Sequence, residues 1–545
     1  MIDHRFARHI RWLYPVLSGI FLTLIFPPFG VYPLVWVSLV PLLMIIDHDS
    51  PKRAFLQGWG CGIVFFLLLA YWIVFVTPIG MVLLVFYLAL YIALFSWAVV
   101  WLRKSIKLDF IFTAPVVWCF TEYLRATVMT GFPWDNLGYA FYTDYALIQV
   151  AEFTGVSGLS FIAVLANVLI YRTAKKLVPI MLNFKVRRFP IRRLALSVFP
   201  LLAFLAGLGL LSIWGEHRAA WWSSQTENLI LNDDSTIAIA LIQPNIPQEL
   251  KWDDTAREYI VRQFDRLTRD AADAKPDLII WPESSLPGFF KYDEVSTYLV
   301  YSLVKDLRVP IVVGGNRFEI IDDIYYYYNS AYYVVPGQNE DSPVKLAGVY
   351  DKIHLVPYGE YIPNKVFLKK IFPGLESIVP FEDFSFGRQM NIFESGHLNF
   401  GISICYEDIF PDLIRRIPAQ GADFIVNITN DAWYKRSGAP YQHFFMAVYR
   451  AVENRVTYVR CSNTGITGCA TADGSAVVFR DENGKAIFSE GHMIIRVPRR
   501  VSDEPTFFTR HGDVVLYGSS FISVLLLSTS FVYLLATFLR KDKKA

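Results

Sequence analysis

The stretch "GISICYEDIFPD", Gly401–Asp412, decides the fold. Four small or apolar residues lead into Cys405, and Glu407 and Asp408 follow almost at once. A short continuous apolar run of this kind is a strand covered on both faces. The same pattern recurs from Thr236 onward in "TIAIALIQ", "PDLIIWPE", "VPIVVGG", "YYYYNSAYYVV", "ADFIVNITN" and "VTYVRCSN", with helical candidates such as Thr255–Ala274 and Tyr441–Asn454 between the runs. Alternation of this sort predicts a layered α/β domain. At about 260 residues the segment is large enough for its own core. No short-period repeat is legible, and a two-fold repeat of the sheet cannot be read from the residues.

The rest of the chain is different in kind. Of 545 residues 54% are hydrophobic and 18% charged, whereas a soluble chain carries about a quarter charged residues. Mean hydropathy is +0.35. Apolar segments suited to a bilayer lie near 12–28, 30–46, 55–76, 79–102, 109–128, 156–171 and 192–214, and another near 514–539. The first has no small-residue cleavage site after it and reads as a retained helix, not a signal peptide. The expectation is a polytopic α-helical membrane domain of about eight spans over 1–214 and 514–539, a linker over 215–235, and an external α/β domain over 236–500. Basic residues cluster in alternate connections: Arg5, Arg8 and Arg11; Lys52 and Arg53; Arg103, Lys104 and Lys107; eight in the 172–193 loop; and Arg540, Lys541, Lys543 and Lys544. With eight spans these fall on one side, which the positive-inside rule makes cytoplasmic. Both termini are then cytoplasmic, and the long segment is external, as is the 129–155 loop.

A net charge of +2 without a long basic run gives no sign of nucleic-acid binding. Five cysteines are too few for a disulfide framework, and their spacing fits no zinc site. Cys61 and Cys119 lie in expected spans, and Cys461 and Cys469 read as structural, a bridge between them being unexpected. Glu122 and Arg125, one turn apart, read as a local salt bridge.

Three external segments end in ionisable residues: "LIIWPES" offers Glu283, "GVYDKIHLVPYGEYIP" offers Lys352 and Glu360, and "GISICYED" offers Cys405. Strand ends are where α/β folds place reactive groups. Glu407 and Asp408 oppose thiolate formation at Cys405, so its activation must come from elsewhere. A carboxylate to take the thiol proton, an ammonium to stabilise thiolate and oxyanion, and a cysteine to attack a carbonyl make a coherent set. Each has a plainer reading: a lone cysteine is usually a small hydrophobe, Glu283 can cap a helix, and Lys352 can be a surface lysine.

Taken together, "WPES", "YDKIHLVPYGEYIP" and "CYED" resemble the nitrilase superfamily, whose Glu-Lys-Cys triad sits on an αββα sandwich. With "QPNIPQELKWDD", "GFPWDNLGY", "NDAW", "NTGITG" and the flanking spans, the resemblance narrows to the apolipoprotein N-acyltransferase family and covers essentially the whole chain. It implies Glu283 as general base, Lys352 as oxyanion lysine and Cys405 as nucleophile. Glu360 would orient the lysine, the Tyr406 N–H would join the oxyanion hole, and Glu407 would be a supporting acid. Trp252 and Trp433 match tryptophans near the lipid-binding region, and Asn329 lies in a matching segment. His354 and His443 read as structural. Where the family pattern has Phe-Gly after "NDAW", this chain has Tyr434 and Lys435; "VPFGE" appears as "VPYGE", with Tyr358; and Cys461 stands where a small residue is usual.

The resemblance implies transfer of an acyl chain from a phosphatidylethanolamine-like phospholipid, through a Cys405 thioester, to the α-amine of an S-diacylglyceryl-cysteine at a lipoprotein N-terminus. It implies a bacterial inner-membrane enzyme acting as a monomer, with a periplasmic catalytic domain and neither metal nor diffusible cofactor. The mixed apolar, proline and glycine segment 361–395 is a candidate lid. Two other classes stay open at this point: a membrane-tethered amidase acting on a small substrate, and a non-enzymatic scaffold or transporter.

Overall fold

The computed structural model describes residues 4–182, 191–251, 253–339, 342–365, 370 and 383–542. The chain forms two compact units, 1–218 with 513–545, and 219–512.

In the first unit, short polar residues start the helices. Ser50 accepts a hydrogen bond from Arg53 N ahead of Pro51–Leu69. Thr77 accepts from Gly80 N ahead of Pro78–Ser105, and Asp109 from Ile111 N ahead of Phe110–Thr127. Each satisfies an amide that the first helical turn leaves unpaired, and in the first two Pro occupies the first helical position, where no N–H is needed. Gly58 and Gly62 allow the first two of these helices to approach closely. A Cβ on Gly58 would run into Ile92 O, and one on Gly62 into the Ala89 backbone, the small-xxx-small packing of membrane helices.

Among the described residues, five helical segments are long and apolar enough to cross a bilayer: Pro51–Leu69, Pro78–Ser105, Leu147–Leu177, Ala195–Ile230 and Val514–Arg540, with a shorter apolar stretch at Tyr32–Ile46. The segments expected near 12–28 and 109–128 are helical as well, as His4–Leu24 and Phe110–Thr127, but fall outside those five. Leu196, Phe199, Leu202, Leu210, Phe521, Phe531 and Val532 are exposed, a larger apolar surface than a soluble domain usually presents. One end of this unit gathers ions. Asp47 binds Lys175 and Arg103, Asp49 binds Arg11, and Asp109 lies 3.3 Å from Arg172.

The reading of Glu122 and Arg125 as a local pair is corrected. The two instead hold the "GFPWDNLGY" loop. Glu122 Oε1 accepts from Leu137 N at 2.8 Å and Trp118 Nε1 at 2.9 Å. Arg125 donates to Phe132 O, Trp134 O and Asn136 Oδ1. The two charges still attract each other, but their hydrogen bonds go to the loop.

The second unit contains two six-stranded sheets. The first has the order β12-β1-β2-β3-β4-β5, with β1 Thr236–Gln243, β2 Leu278–Ile280, β3 Ile311–Ile321, β4 Ile324–Asn339, β5 Ser342–Asp351 and β12 Gly491–Pro498. The second has the order β11-β10-β9-β8-β7-β6, with β6 Ile392–Ser395, β7 Leu398–Ile404, β8 Phe424–Thr429, β9 Thr457–Ser462, β10 Gly468–Ala470 and β11 Ala476–Val478. Both follow one plan. An antiparallel edge leads into three parallel strands (β1-β2-β3; β7-β8-β9) and then two antiparallel ones. This is the two-fold repeat that the residues do not reveal.

Helices Arg257–Ala272 and Glu294–Leu307 cover the first sheet, with Ile260, Phe264, Leu267, Val300 and Leu303 packed on Ile279, Trp281 and Val313. Ala439–Asn454 covers the second through Phe444, Ala447, Val448 and Ala451 against Ile425 and Tyr458. The sheets meet face to face. The Cys461 thiol of β9 donates to Ile242 O and Ile280 O of the other sheet, both at 3.2 Å, and Tyr333 packs edge-on against Phe400. Two inner sheets with helices outside make the expected αββα sandwich. All five cysteines are free and buried. Trp252 and part of the candidate lid, 366–369 and 371–382, lie outside the described residues.

Candidate active site

Glu283 follows β2, where Trp281 is anchored by its indole N–H on Thr268 Oγ1 at 3.0 Å. The backbone there passes so close to Gly314 that a Cβ on that glycine would strike Pro282 O and Glu283 Cα. Lys352 follows β5. Its N–H donates to Asn329 O at 2.9 Å, and its carbonyl accepts from Gly387 N at 2.7 Å. The β4–β5 register, Ser330 opposite Asp351, therefore sets the lysine beside Asn329. Cys405 follows β7 with φ +52, a left-handed conformation, and begins the tight turn Cys405–Ile409. A non-glycine residue held there is strained by about 1–3 kcal/mol. Asn427 Nδ2 braces it, donating to Cys405 O at 3.2 Å and Ser403 Oγ at 3.1 Å.

The side chains then converge. Lys352 Nζ is 2.8 Å from Glu360 Oε1 and 3.6 Å from Glu283 Oε1. Asn329 Nδ2 bridges the same two carboxylates, at 2.7 Å from Glu283 Oε1 and 2.8 Å from Glu360 Oε1. Glu360 is held in turn by Val356 N on its second oxygen. Lys352 is 1% exposed, which excludes the surface-lysine reading. Burial pulls its ammonium down, but Glu360 and Glu283 more than reverse this, and the net shift is upward. Asn329 is buried inside this charge network.

Cys405 is buried, and burial pushes its thiol well up; Glu283 pushes the same way, and Lys352 opposes both. The sequence predicts Glu407 and Asp408 as the charges that oppose the thiolate. Both are turned to other work. Glu407 accepts from Tyr350 Oη, from Ile353 N and His354 N after β5, and from Ile404 N before the cysteine. It thus ties the loop after Lys352 to the strand that carries Cys405. Burial lifts its carboxyl to about 7 despite those donors. Asp408 is fully buried among His443, Arg460 and Tyr458. Burial raises it, but His443 and Arg460 bring it below the ordinary carboxylate range. His443 also reaches Asp431 at 3.1 Å, a packed charge cluster behind the turn. The Tyr406 ring packs on Phe410, and His354 stacks against the same phenylalanine.

Trp433 lies in the short turn Asp431–Tyr434 and is exposed. The next two residues depart from the family pattern. Burial raises the Tyr434 hydroxyl, and its proximity to Cys405 and Asp431 pushes the same way, so it shares the thiol's surroundings. Lys435 adopts φ +51 and ψ −158, a region that glycine enters freely and other residues do not. Its contact with Glu249 is exposed on both sides and is worth little. Lys435→Gly is expected to stabilise the protein by about 1 kcal/mol, read as a raised unfolding midpoint in detergent. An unchanged or lower midpoint would mean that the contact outweighs the strain.

Lys251 is a residue that the sequence reading missed. Its amine is buried and donates to Glu283 O and Ser284 O. The only signal for it is its place in "LKWDD".

The chain is similar to known proteins over most of its length. Residues 18–169 match the apolipoprotein N-acyltransferase N-terminal domain, and residues 238–522 match the carbon-nitrogen hydrolase family. The chain is 36% identical over 525 residues to the apolipoprotein N-acyltransferase of Geobacter metallireducens, covering 93% of this chain and 92% of that one. It is 32% identical over 490 residues to that of Vibrio cholerae (87% and 89%), and 29% over 547 residues to that of Haemophilus influenzae (95% and 94%).

Proposed function

Since the chain belongs to the apolipoprotein N-acyltransferase family and is an acyltransferase of lipoprotein maturation, we propose that it works by two half-reactions on Cys405. In the first, Glu283 takes the thiol proton and the sulfur attacks an acyl ester carbonyl of a phosphatidylethanolamine-like phospholipid. Lys352 and the Tyr406 N–H stabilise the oxyanion. The intermediate collapses to a thioester as the lysophospholipid alkoxide leaves with the proton from Glu283. In the second, the α-amine of an S-diacylglyceryl-cysteine attacks the thioester, Glu283 takes the amine proton, and the thiol leaves as the amide forms. Glu360 and Asn329 position Lys352 and Glu283, and Glu407 ties the lysine loop to the cysteine strand. Trp433, and Trp252 beside Lys251, would meet lipid.

The observation that carries this reading is the convergence on one amine. Lys352 lies 2.8 Å from Glu360 and 3.6 Å from Glu283, and Cys405 feels its charge. The test is intact-mass analysis of the protein with and without phospholipid, with Cys405→Ser alongside. An added acyl mass on the wild type, absent from the variant as a turnover intermediate, is expected. Failure to acylate with every phospholipid would favour an amidase acting on a small substrate.

The membrane arrangement belongs to the same proposal: about eight spans in 1–214 and 514–539, a linker at 215–235, and a periplasmic catalytic domain at 236–500 of a monomeric inner-membrane enzyme. Support comes from the five long apolar helices and from the basic residues Arg11, Arg103, Arg172 and Lys175, which share one end of the first unit. A reporter that needs oxidising surroundings should work when fused near residue 300 and fail after Ala545. The reverse pattern would sink the topology.

A further inference from the structure

Lysine is almost never fully buried unless it is paired. Lys251 is 6% exposed, yet among the described residues it forms no ion pair. Its Nζ donates instead to two successive main-chain carbonyls, Glu283 O at 3.1 Å and Ser284 O at 3.0 Å. In an extended strand successive carbonyls point to opposite sides. Here they reach one amine because the chain turns at Ser284, whose φ of +51 is left-handed. An L-residue other than glycine resists that conformation. The lysine therefore closes a strained turn immediately after the proposed base. The Glu283 carboxylate is held from one side by Asn329 and Lys352, and its main chain from the other by Lys251.

We infer that Lys251 is a positioning residue of the acyl-transfer site, a clamp on the Glu283–Ser284 turn that aims the Glu283 carboxylate at the thiol. This rests on the reading of Glu283 as the base. The amine needs no counter-ion for the task. A neutral amine has two N–H donors, and two carbonyls satisfy both. Burial pulls the Lys251 ammonium down to about 7, against the opposing pull of Glu283 and Cys405, so the neutral form is accessible and the group lies in the field of the reacting pair.

The experiment uses the full chain in lipid nanodiscs and single-turnover formation of acyl-enzyme from phosphatidylethanolamine. Lys251→Met keeps the stem and removes the donors. Its acylation rate constant should fall about ten- to a hundredfold, with the half-saturating lipid concentration unchanged. Adding Ser284→Gly, which takes the left-handed turn without cost, should restore about fivefold or more of the loss. A lysine that only fills space or supplies charge would gain nothing from glycine at 284, so a loss without rescue overturns the clamp. So does a Lys251→Met rate within about twofold of wild type, given the loss expected of a misplaced base. Lys251→Gln, with and without Ser284→Gly, is carried in parallel under the same criteria in case the methionine variant accumulates poorly. If the wild type itself forms no acyl-enzyme, the acyl-transfer reading has failed. The clamp is then judged by Cys405 alkylation with iodoacetamide, which should slow in Lys251→Met and recover with Ser284→Gly, and an unchanged rate overturns it.

Discussion

Cys405→Ala is expected to release no lysophospholipid and to transfer no acyl chain, because it removes the sole proposed covalent carrier. The fold should tolerate it: alanine at φ +52 meets the same backbone conflict as cysteine, and the Asn427 brace is to a main-chain carbonyl. Cys405→Ser is the sharper variant. Burial already pushes the thiol well above its ordinary value, and a hydroxyl starts far higher, so Glu283 should activate it poorly. Any acyl-enzyme that formed would be an oxygen ester, which an amine attacks more slowly because alkoxide is the poorer leaving group. Turnover should be lost, with at most a trace of trapped ester in the intact mass. N-acylated product from Cys405→Ala at a useful rate would mean direct transfer from lipid to amine, and the two-step scheme would be wrong.

The parts of this site that the sequence reveals are those at strand ends. Glu283, Lys352 and Cys405 each terminate a run whose pattern marks a strand, and a residue just past a strand end has few places to go. The parts that stay hidden depend on tertiary register or on main-chain atoms. Asn329 looks like a core amide until the pairing of β4 with β5 sets its carbonyl on Lys352 N and its amide between two carboxylates. Glu407 reads as a charge hostile to the thiol, yet four donors hold it. Lys251 has carbonyls for partners, and no side-chain pattern encodes a carbonyl. Glu122 and Arg125 differ in the opposite sense: helical spacing sets them in each other's field, but their hydrogen bonds go to the loop near Trp134. The repeat of the two sheets is one of strand order and direction, which survives when the residues no longer match.

Lys352→Met is expected to lower acyl-enzyme formation by more than the factor of about 10²–10³ that follows loss of a single oxyanion donor. Three effects add. The oxyanion loses its ammonium. The thiol loses the charge that opposes burial and Glu283, so its alkylation by iodoacetamide at fixed pH should also slow. And Glu283, which is buried, and Glu360, which is partly buried, both in contact with Lys352, lose that counter-ion. Removing one member of a buried ion pair costs about 3–5 kcal/mol unless the survivor takes up a proton, and a protonated Glu283 is no longer a base. Loss of activity in the single variant could therefore reflect damage to the fold. Lys352→Met with Glu360→Gln removes one positive and one negative charge together and keeps a hydrogen-bonding amide opposite Asn329. This pair should unfold closer to the wild type than Lys352→Met alone, yet stay as inactive, because the oxyanion and the thiolate both still lack their cation. Recovery of acyl-enzyme formation to near wild-type rates in the double variant would show that Lys352 serves only to neutralise Glu360, and the oxyanion would then need another donor.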